Sequence, residues 1–226
     1  GARRRVHRRS VPLDCRVRPL APTKKGREML DVMLDLETMG KGPDSAIIAI
    51  GAVEFDIAEQ KTGCGFYVHV DLESAVKAGG VVDASTVLWW MKQGDQARSA
   101  FARQGERMEV ALHLFSEWMA VRGGQKDVRV WGNGAAFDNV ILASAYRRLG
   151  VSAPWMFWND RCYRTVKALH PDVKMERTGT HHNAVDDAIS QAGHLLAMMG
   201  PNARSEARPV GTSRSTEELG QQLKGR

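Results

Sequence analysis

Two acids stand two positions apart in an apolar run near the start of the chain, Asp35 and Glu37 in "MLDLETMG". If that run is a β-strand, side chains two apart point to one face. Both carboxylates then project together while Leu34 and Leu36 pack on the other side. Carboxylates held that close repel each other unless a cation lies between them. Hard divalent ions such as Mg2+ and Mn2+ prefer oxygen ligands, and paired acids on a strand supply them. The ordinary alternative is that Asp35 ends the strand and Glu37 caps the following turn. An Asp-x-Glu triplet taken alone favours that alternative.

A further acid, Asp138, opens an amphipathic segment in "VWGNGAAFDNVIL", where an isolated carboxylate would simply complement a helix dipole. The stretch "THHNAVDDAISQAGHLL" places His181 and His182 just ahead of Asp186 and Asp187. On a helix, a four-residue step would put His182 and Asp186 on one face. A five-residue step turns about 140°, so His182 meets Asp187 only from the entering loop or the first turn. A solvated helix start is the competing reading. A zinc site from His181, His182 and Cys162 fits no common zinc spacing. Cys15, Cys64 and Cys162 form no C-x-x-C pair, which supports neither a disulfide framework nor a Cys-rich zinc site.

These residues need a scaffold, and the 226-residue chain, 43% hydrophobic, is long enough for one well-buried domain. Met29 to Leu36, Ile47 to Phe55 and Gly65 to Asp71 read as strands separated by Gly/Pro/Asp turns, an antiparallel meander. Helices are expected over Ala84 to Lys92, Asp95 to Arg103 and Glu106 to Val121. "DVRVWGNG" then reads as a buried strand ending in a glycine loop. Phe137 to Leu149 follows as a helix whose apolar face is Phe137, Val140, Ile141, Ala145 and Leu149. The last helix runs from about His182 to Met199, with Val185, Ile189, Ala192, Leu196 and Met199 at helical spacing. The class is α/β, a mixed sheet with helices packed on its faces. Core packing is expected for Trp89, Trp90, Trp131 and Phe137 ahead of base stacking.

The net charge of +6 is unevenly spread. Residues 1–28 carry 8 Arg and 2 Lys against Asp14 and Glu28, a local +8. From Met29 onward, 22 Lys and Arg face 24 Asp and Glu, a balance of −2. The first 28 residues lack apolar periodicity and read as a basic flexible arm. A nucleic-acid arm, an organelle-targeting segment and upstream sequence from start-site choice all fit. The last is preferred because Met29 directly precedes the first strand. Residues 201–226 read as a polar tail with a short helix near Ser215 to Leu223. No apolar run approaches a membrane span of roughly 18–20 residues, and no secretory signal is visible. The expectation is a soluble protein of a reducing, cytoplasmic compartment (the host cytoplasm if phage-encoded), with no membrane partner.

Together the motifs resemble those of the DEDDh group of 3'-5' exonucleases, members of the ribonuclease H-like superfamily. The group includes polymerase proofreading subunits, oligoribonuclease and ribonuclease T. "MLDLETMG", "WGNGAAFDN" and "HHNAVDDA" look closest to bacterial and phage exonuclease VIII-like and small exoribonuclease proteins. The resemblance covers Met29 to Met199 and implies a ribonuclease H-like mixed sheet over residues 29–200. The family pattern His-x-Ala-x-x-Asp-Ala matches His182, Ala184, Asp187 and Ala188, which makes His182 and Asp187 the assigned pair, with His181 and Asp186 as neighbours.

The resemblance implies that Asp35, Glu37, Asp138 and Asp187 hold two divalent ions, Mg2+ or Mn2+. Asp35 would bridge both, Glu37 and Asp187 would complete the site carrying the attacking water, and Asp138 would support the second ion. His182 is implied as general base, acting on a single strand of RNA or DNA with a free 3' end and releasing nucleoside 5'-monophosphates. Thr38 and Met39 would meet the terminal nucleotide, Met39 as a wedge, with Asn133 and Asn139 as further candidate contacts. The loop "TMGKGPDSA" departs from the family's short turn in being longer and more basic. Many members pair through their helices, so a homodimer is open. The rivals are a proofreading-type DNA exonuclease subunit working with a polymerase and a non-catalytic nucleic-acid-binding module on the same fold.

Overall fold

The computed structural model describes residues 29–98 and 104–200. The arm at 1–28, the end of the helix expected to reach Arg103 and the tail with its helix near Ser215 lie outside the described residues. A five-stranded sheet forms the centre, in the order β3-β2-β1-β4-β5. Its strands are β1 (Leu30–Thr38), β2 (Ile47–Asp56), β3 (Lys61–His69), β4 (Val128–Gly132) and β5 (Asp160–Cys162). The first three make the expected antiparallel meander. β4 joins β1 in parallel and β5 joins β4 in parallel. Helices α1 (Leu72–Lys77), α2 (Ala84–Met91), α3 (Asp95–Arg98) and α4 (Met108–Ala120) separate β3 from β4. Helix α5 (Asp138–Arg148) follows β4, α6 (Tyr163–Leu169) follows β5, and α7 (Ala184–Met199) closes the fold.

The period of two along β1 sorts its side chains onto two cores. Val32, Leu34 and Leu36 pack with Leu112 and Phe115 of α4 and with Ile141 and Leu142 of α5. Met33 packs on the opposite face with Phe55, Trp131 and the α7 residues Ala188, Ala192 and Leu195. Each large side chain so buried contributes roughly 1.5–3 kcal/mol. Asp35 and Glu37 share the parity of Met33, so they point toward α7.

Gly51 lets α7 reach the sheet there. It pairs with Asp35 across β1 and β2, and a Cβ at that position would lie 2.1 Å from the Ala184 carbonyl carbon. The first turn of α7 therefore rests on β2 directly beside Asp35. Asn183 caps that turn, its side chain accepting from the N–H groups of Val185 and Asp186.

Several element boundaries differ from the sequence expectation. β1 continues through Glu37 to Thr38, so Asp35 does not end a strand. β3 begins at Lys61, and the Gly65 to Asp71 segment runs past its end at His69. The short helices α1 and α6 were not expected, and α7 starts at Ala184 rather than His182. Val140 and Met199 are exposed where Leu142 and Met198 are buried, because the helix faces are turned by about one residue against the periodic reading. No helix among the described residues is long and apolar enough to cross a membrane.

Candidate active site

The C-terminal end of β1 carries the chemistry. Asp35, Glu37 and Asp187 each bring a carboxylate oxygen to within 4.8 Å of the others. β1 supplies the first two by its alternation, and the docking of α7 on Gly51 supplies the third. Asp138 joins them from the first turn of α5, where its Oδ1 accepts the Leu36 N–H at 3.3 Å. Its Oδ2 is buried with no hydrogen-bond partner among the described residues. An orphaned carboxylate oxygen beside three convergent acids has the donor set and the unmet charge that suit a hard cation.

The electrostatics agree. Burial pushes the Glu37 carboxyl up to about 8, helped by the charges of Asp187 and Asp138. Burial raises Asp138 to about 7, against the N–H groups of Leu36 and Asn133 and the Arg164 guanidinium. Asp35 is raised well above its ordinary range by burial and then by Asp138 and Glu37, although Gln191 opposes the rise. Gln191 Nε2 donates to Asp35 Oδ1 at 2.7 Å. It sits one helical turn after Asp187, so the i, i+4 rule puts both on one face of α7, a signal that the sequence carried and the motif reading passed over.

His182 lies in the loop entering α7, the geometry under which it can meet Asp187. Its backbone is left-handed, φ 63°, which is strained for a residue with a side chain. Asp187 Oδ2 holds that turn by accepting the His182 N–H at 2.9 Å. The ring is framed by aromatics, with Trp89 and Trp90 edge-on at 5.0 and 5.9 Å between centroids. His181 packs on it from the exposed side at 3.8 Å. Burial lowers the His182 pKa, as does His181, while Asp187 pulls the other way. The shift favours the neutral imidazole. Asp186 turns away and accepts the Thr180 N–H at 2.8 Å. Cys162 belongs to none of the candidate metal-holding clusters among the described residues.

Two clefts meet at Leu36 and Glu37. The first is lined by Asp35, Glu37 and Asp187 with His182, Asn133, Lys167, Arg177 and Gln191 among others. The second is lined by Thr38, Lys41, Thr86, Trp89, Trp90 and Phe137 among others. Asn133 and Thr38 thus each face a cleft. Met39 does not: it is only 6% exposed and packs in the core cluster with Leu36 and Ile48. Asn139 is also withdrawn, with 0% exposure. Its amide donates to the Val130 carbonyl at 2.9 Å and to Asp160 at 2.8 Å, fastening the start of α5 to β4 and β5.

The adjacent tryptophans divide, as a helix's 100° step requires. Trp90 is buried and donates from Nε1 to the Thr38 carbonyl at 3.0 Å, whereas Trp89 is 43% exposed at the second cleft. Core packing was expected for both and holds for Trp90. The long loop after Thr38 is pinned to α5, where Asp44 accepts from Ser144 Oγ at 2.5 Å and from Arg148 at 3.1 Å.

Comparison with known proteins gives a consistent set. The family model described as the 3'-5' exoribonuclease Rv2179c-like domain matches residues 30–199. An exodeoxyribonuclease of Enterobacteria phage T4 is 28% identical over 165 residues, 62% of this chain and 72% of that protein. Among solved structures, E. coli exonuclease I in complex with a dT13 oligonucleotide aligns with a TM-score of 0.56 at 13% identity, covering 79% of this chain and 42% of that one. A 3'-exonuclease solved with the histone mRNA stem-loop aligns at 0.50 and 13% identity, covering 76% and 82%. This chain spans less than half the length of exonuclease I, and both structural likenesses concern the ribonuclease H-like fold.

Proposed function

The chain belongs to the Rv2179c-like 3'-5' exoribonuclease domain family, and from that premise we propose that it trims single-stranded RNA or DNA from a free 3' end, releasing nucleoside 5'-monophosphates. The observation that carries this reading is the convergence of Asp35, Glu37 and Asp187 within 4.8 Å, next to His182, whose backbone N–H Asp187 accepts. The phage exodeoxyribonuclease and the oligonucleotide-bound exonuclease I are in keeping with it.

Asp35, Glu37, Asp138 and Asp187 would hold the two divalent ions, Mg2+ or Mn2+, and the chemistry such ions would supply there is a lowered pKa for water and an offset to the charge that builds on the phosphate. Gln191 keeps the Asp35 carboxylate turned toward its neighbours. His182 accepts the proton of the attacking water, and its lowered pKa keeps it free to do so at neutral pH. Attack at phosphorus breaks the bond to the 3' oxygen of the penultimate sugar, leaving a new 3' hydroxyl on the shortened strand.

The second cleft seats the terminal nucleoside. Trp89 offers an exposed ring for a base, a contact that tolerates every sequence. Lys41 lines the same cleft and adds a positive charge to it. The test is a time course on 5'-labelled RNA and DNA of one sequence, with Mn2+, with Mg2+ and with chelator. A metal-dependent ladder shortening from the 3' end is expected, and the relative rates name the preferred sugar. Binding without cleavage under every condition would replace the enzyme with a binding module.

A further inference from the structure

One wall of the first cleft is cationic. Lys167 of α6 and Arg177, from the segment joining α6 to α7, line the cleft together with Asp35 and Glu37. Arg177 Nη1 donates to Asp187 Oδ1 at 2.8 Å, while Asp187 Oδ2 accepts the His182 N–H. Both oxygens of a carboxylate assigned to an ion are thus engaged, one of them by a guanidinium. A divalent ion and a guanidinium on the same oxygen repel each other, so loading the site frees the side chain.

The backbone carrying Arg177 is anchored without it. The Thr178 N–H donates to Ser190 Oγ at 3.0 Å and the Thr180 N–H to Asp186 at 2.8 Å. Upstream, His194 Nε2 donates to the Val173 carbonyl at 2.9 Å. The Arg177 side chain itself stays half exposed. It can swing while its segment stays in place. Arg164, by contrast, is committed to the Asn133 carbonyl.

We propose that Arg177 is an exchangeable counter-ion: it neutralises Asp187 when the cluster holds no divalent ion and, once the cluster is loaded, turns with Lys167 to bind the phosphate of the 3'-terminal nucleotide. This rests on the exonuclease reading and names the residues that would grip its substrate's phosphate. A guanidinium presents a planar fork that matches two phosphate oxygens, so the same group serves a carboxylate and a phosphate equally well. The exchange keeps the cleft's charge balanced in both states. It also gives a reason for a cation to point into a site built for metals.

The test is calorimetric titration of the full chain, first with Mn2+ alone, then of the Mn2+-loaded protein with AMP and with adenosine. Wild type, Arg177→Gln and Arg177→Lys are compared. Losing a competing cation makes Arg177→Gln bind Mn2+ several-fold tighter. Losing a phosphate ligand makes it bind AMP about tenfold weaker, the usual scale for a hydrogen bond to a charged group, with adenosine unchanged. Arg177→Lys falls between the two. A residue that only held Asp187 in position would give the opposite sign with Mn2+, so equal or weaker Mn2+ binding in Arg177→Gln overturns the proposal, as does unchanged AMP affinity. The wild-type degradation time course on the same preparation separates the two levels. Trimming by wild type with either of those negative results sinks the counter-ion alone, and absence of trimming removes the premise and the proposal with it.

Discussion

His182 and Asp187 are joined through the backbone: the carboxylate accepts the His182 N–H and fixes a left-handed turn that would otherwise be strained. Asp187 thereby sets the position of the imidazole as well as offering a candidate metal ligand, and under the proposed function His182 takes the proton of the attacking water. His182→Ala is expected to lower the turnover rate about 10²–10⁴-fold while Mn2+ binding, read by calorimetry, stays close to wild type. Glu37 carries a different consequence. Its carboxyl is raised to about 8 from an ordinary value of 4.5, so the folded, metal-free protein holds a proton that the unfolded chain gives up. Stability of the metal-free protein from this group is present at pH 4 and declines as pH rises toward 8. Glu37→Gln removes that decline. The expected result is a higher melting temperature than wild type at pH 8.5 without metal, about 2–4 °C for each kcal/mol recovered, together with lost exonuclease activity. Mn2+ affinity of the wild type should rise across pH 7–8 with proton release on binding. At this scale Asp35, Glu37, Asp138, His182 and Asp187, which the structure gathers at the end of β1, were legible in the sequence because each sits in a short motif. The sequence was silent on Arg177 and on the inward turn of Met39 and Asn139, whose side-chain directions depend on neighbours distant in the chain.

At the scale of elements, the site exists because α7 lies against β2 over Gly51. A glycine inside an apolar strand signals a close approach, but what approaches is decided by the far end of the chain. Gly51→Val would place side-chain atoms inside the Ala184 backbone. It should lower stability by at least the 1–3 kcal/mol typical of overpacking and displace Asp187 from Asp35, checked by thermal melting and by Mn2+ titration. The meander, β4, α5 and α7 were legible because each is long enough to show its period. The short helices α1 and α6 were not, since six or seven residues hold at most about two helical turns. The buried pair of Glu54 and Arg122, 3.0 Å apart, ties the end of α4 to β2, and nothing in either local sequence announces it.

At the scale of the whole molecule, two clefts among the described residues meet at the end of β1, one lined by acids and cations, the other by Trp89, Trp90 and Phe137. Under the proposed function a terminal nucleotide would lie across that junction, with its phosphate beside the acids and its base beside Trp89. The charge balance of −2 from Met29 onward gives this part of the chain no general positive field, so the proposed function relies on local groups such as Lys41, Lys167 and Arg177 to hold a substrate. Trp89→Ala should raise KM about tenfold, within the 1–3 kcal/mol of one base stack, and leave kcat within a few-fold, read from initial rates on a labelled single strand. The division between Trp89 and Trp90 follows from helix geometry, but which of the two faces the cleft is fixed by how α2 docks on Thr38, which a single sequence does not display. The central claim is that the acids at the end of β1 are the catalytic metal site, and the degradation rate of a 5'-labelled single strand by Asp35→Ala in Mn2+ tests it most directly. The account expects a loss of at least about a thousandfold, the equivalent of several kcal/mol of metal-supplied stabilisation, in a protein that still melts cooperatively. A rate equal to wild type would contradict it and move the chemistry elsewhere.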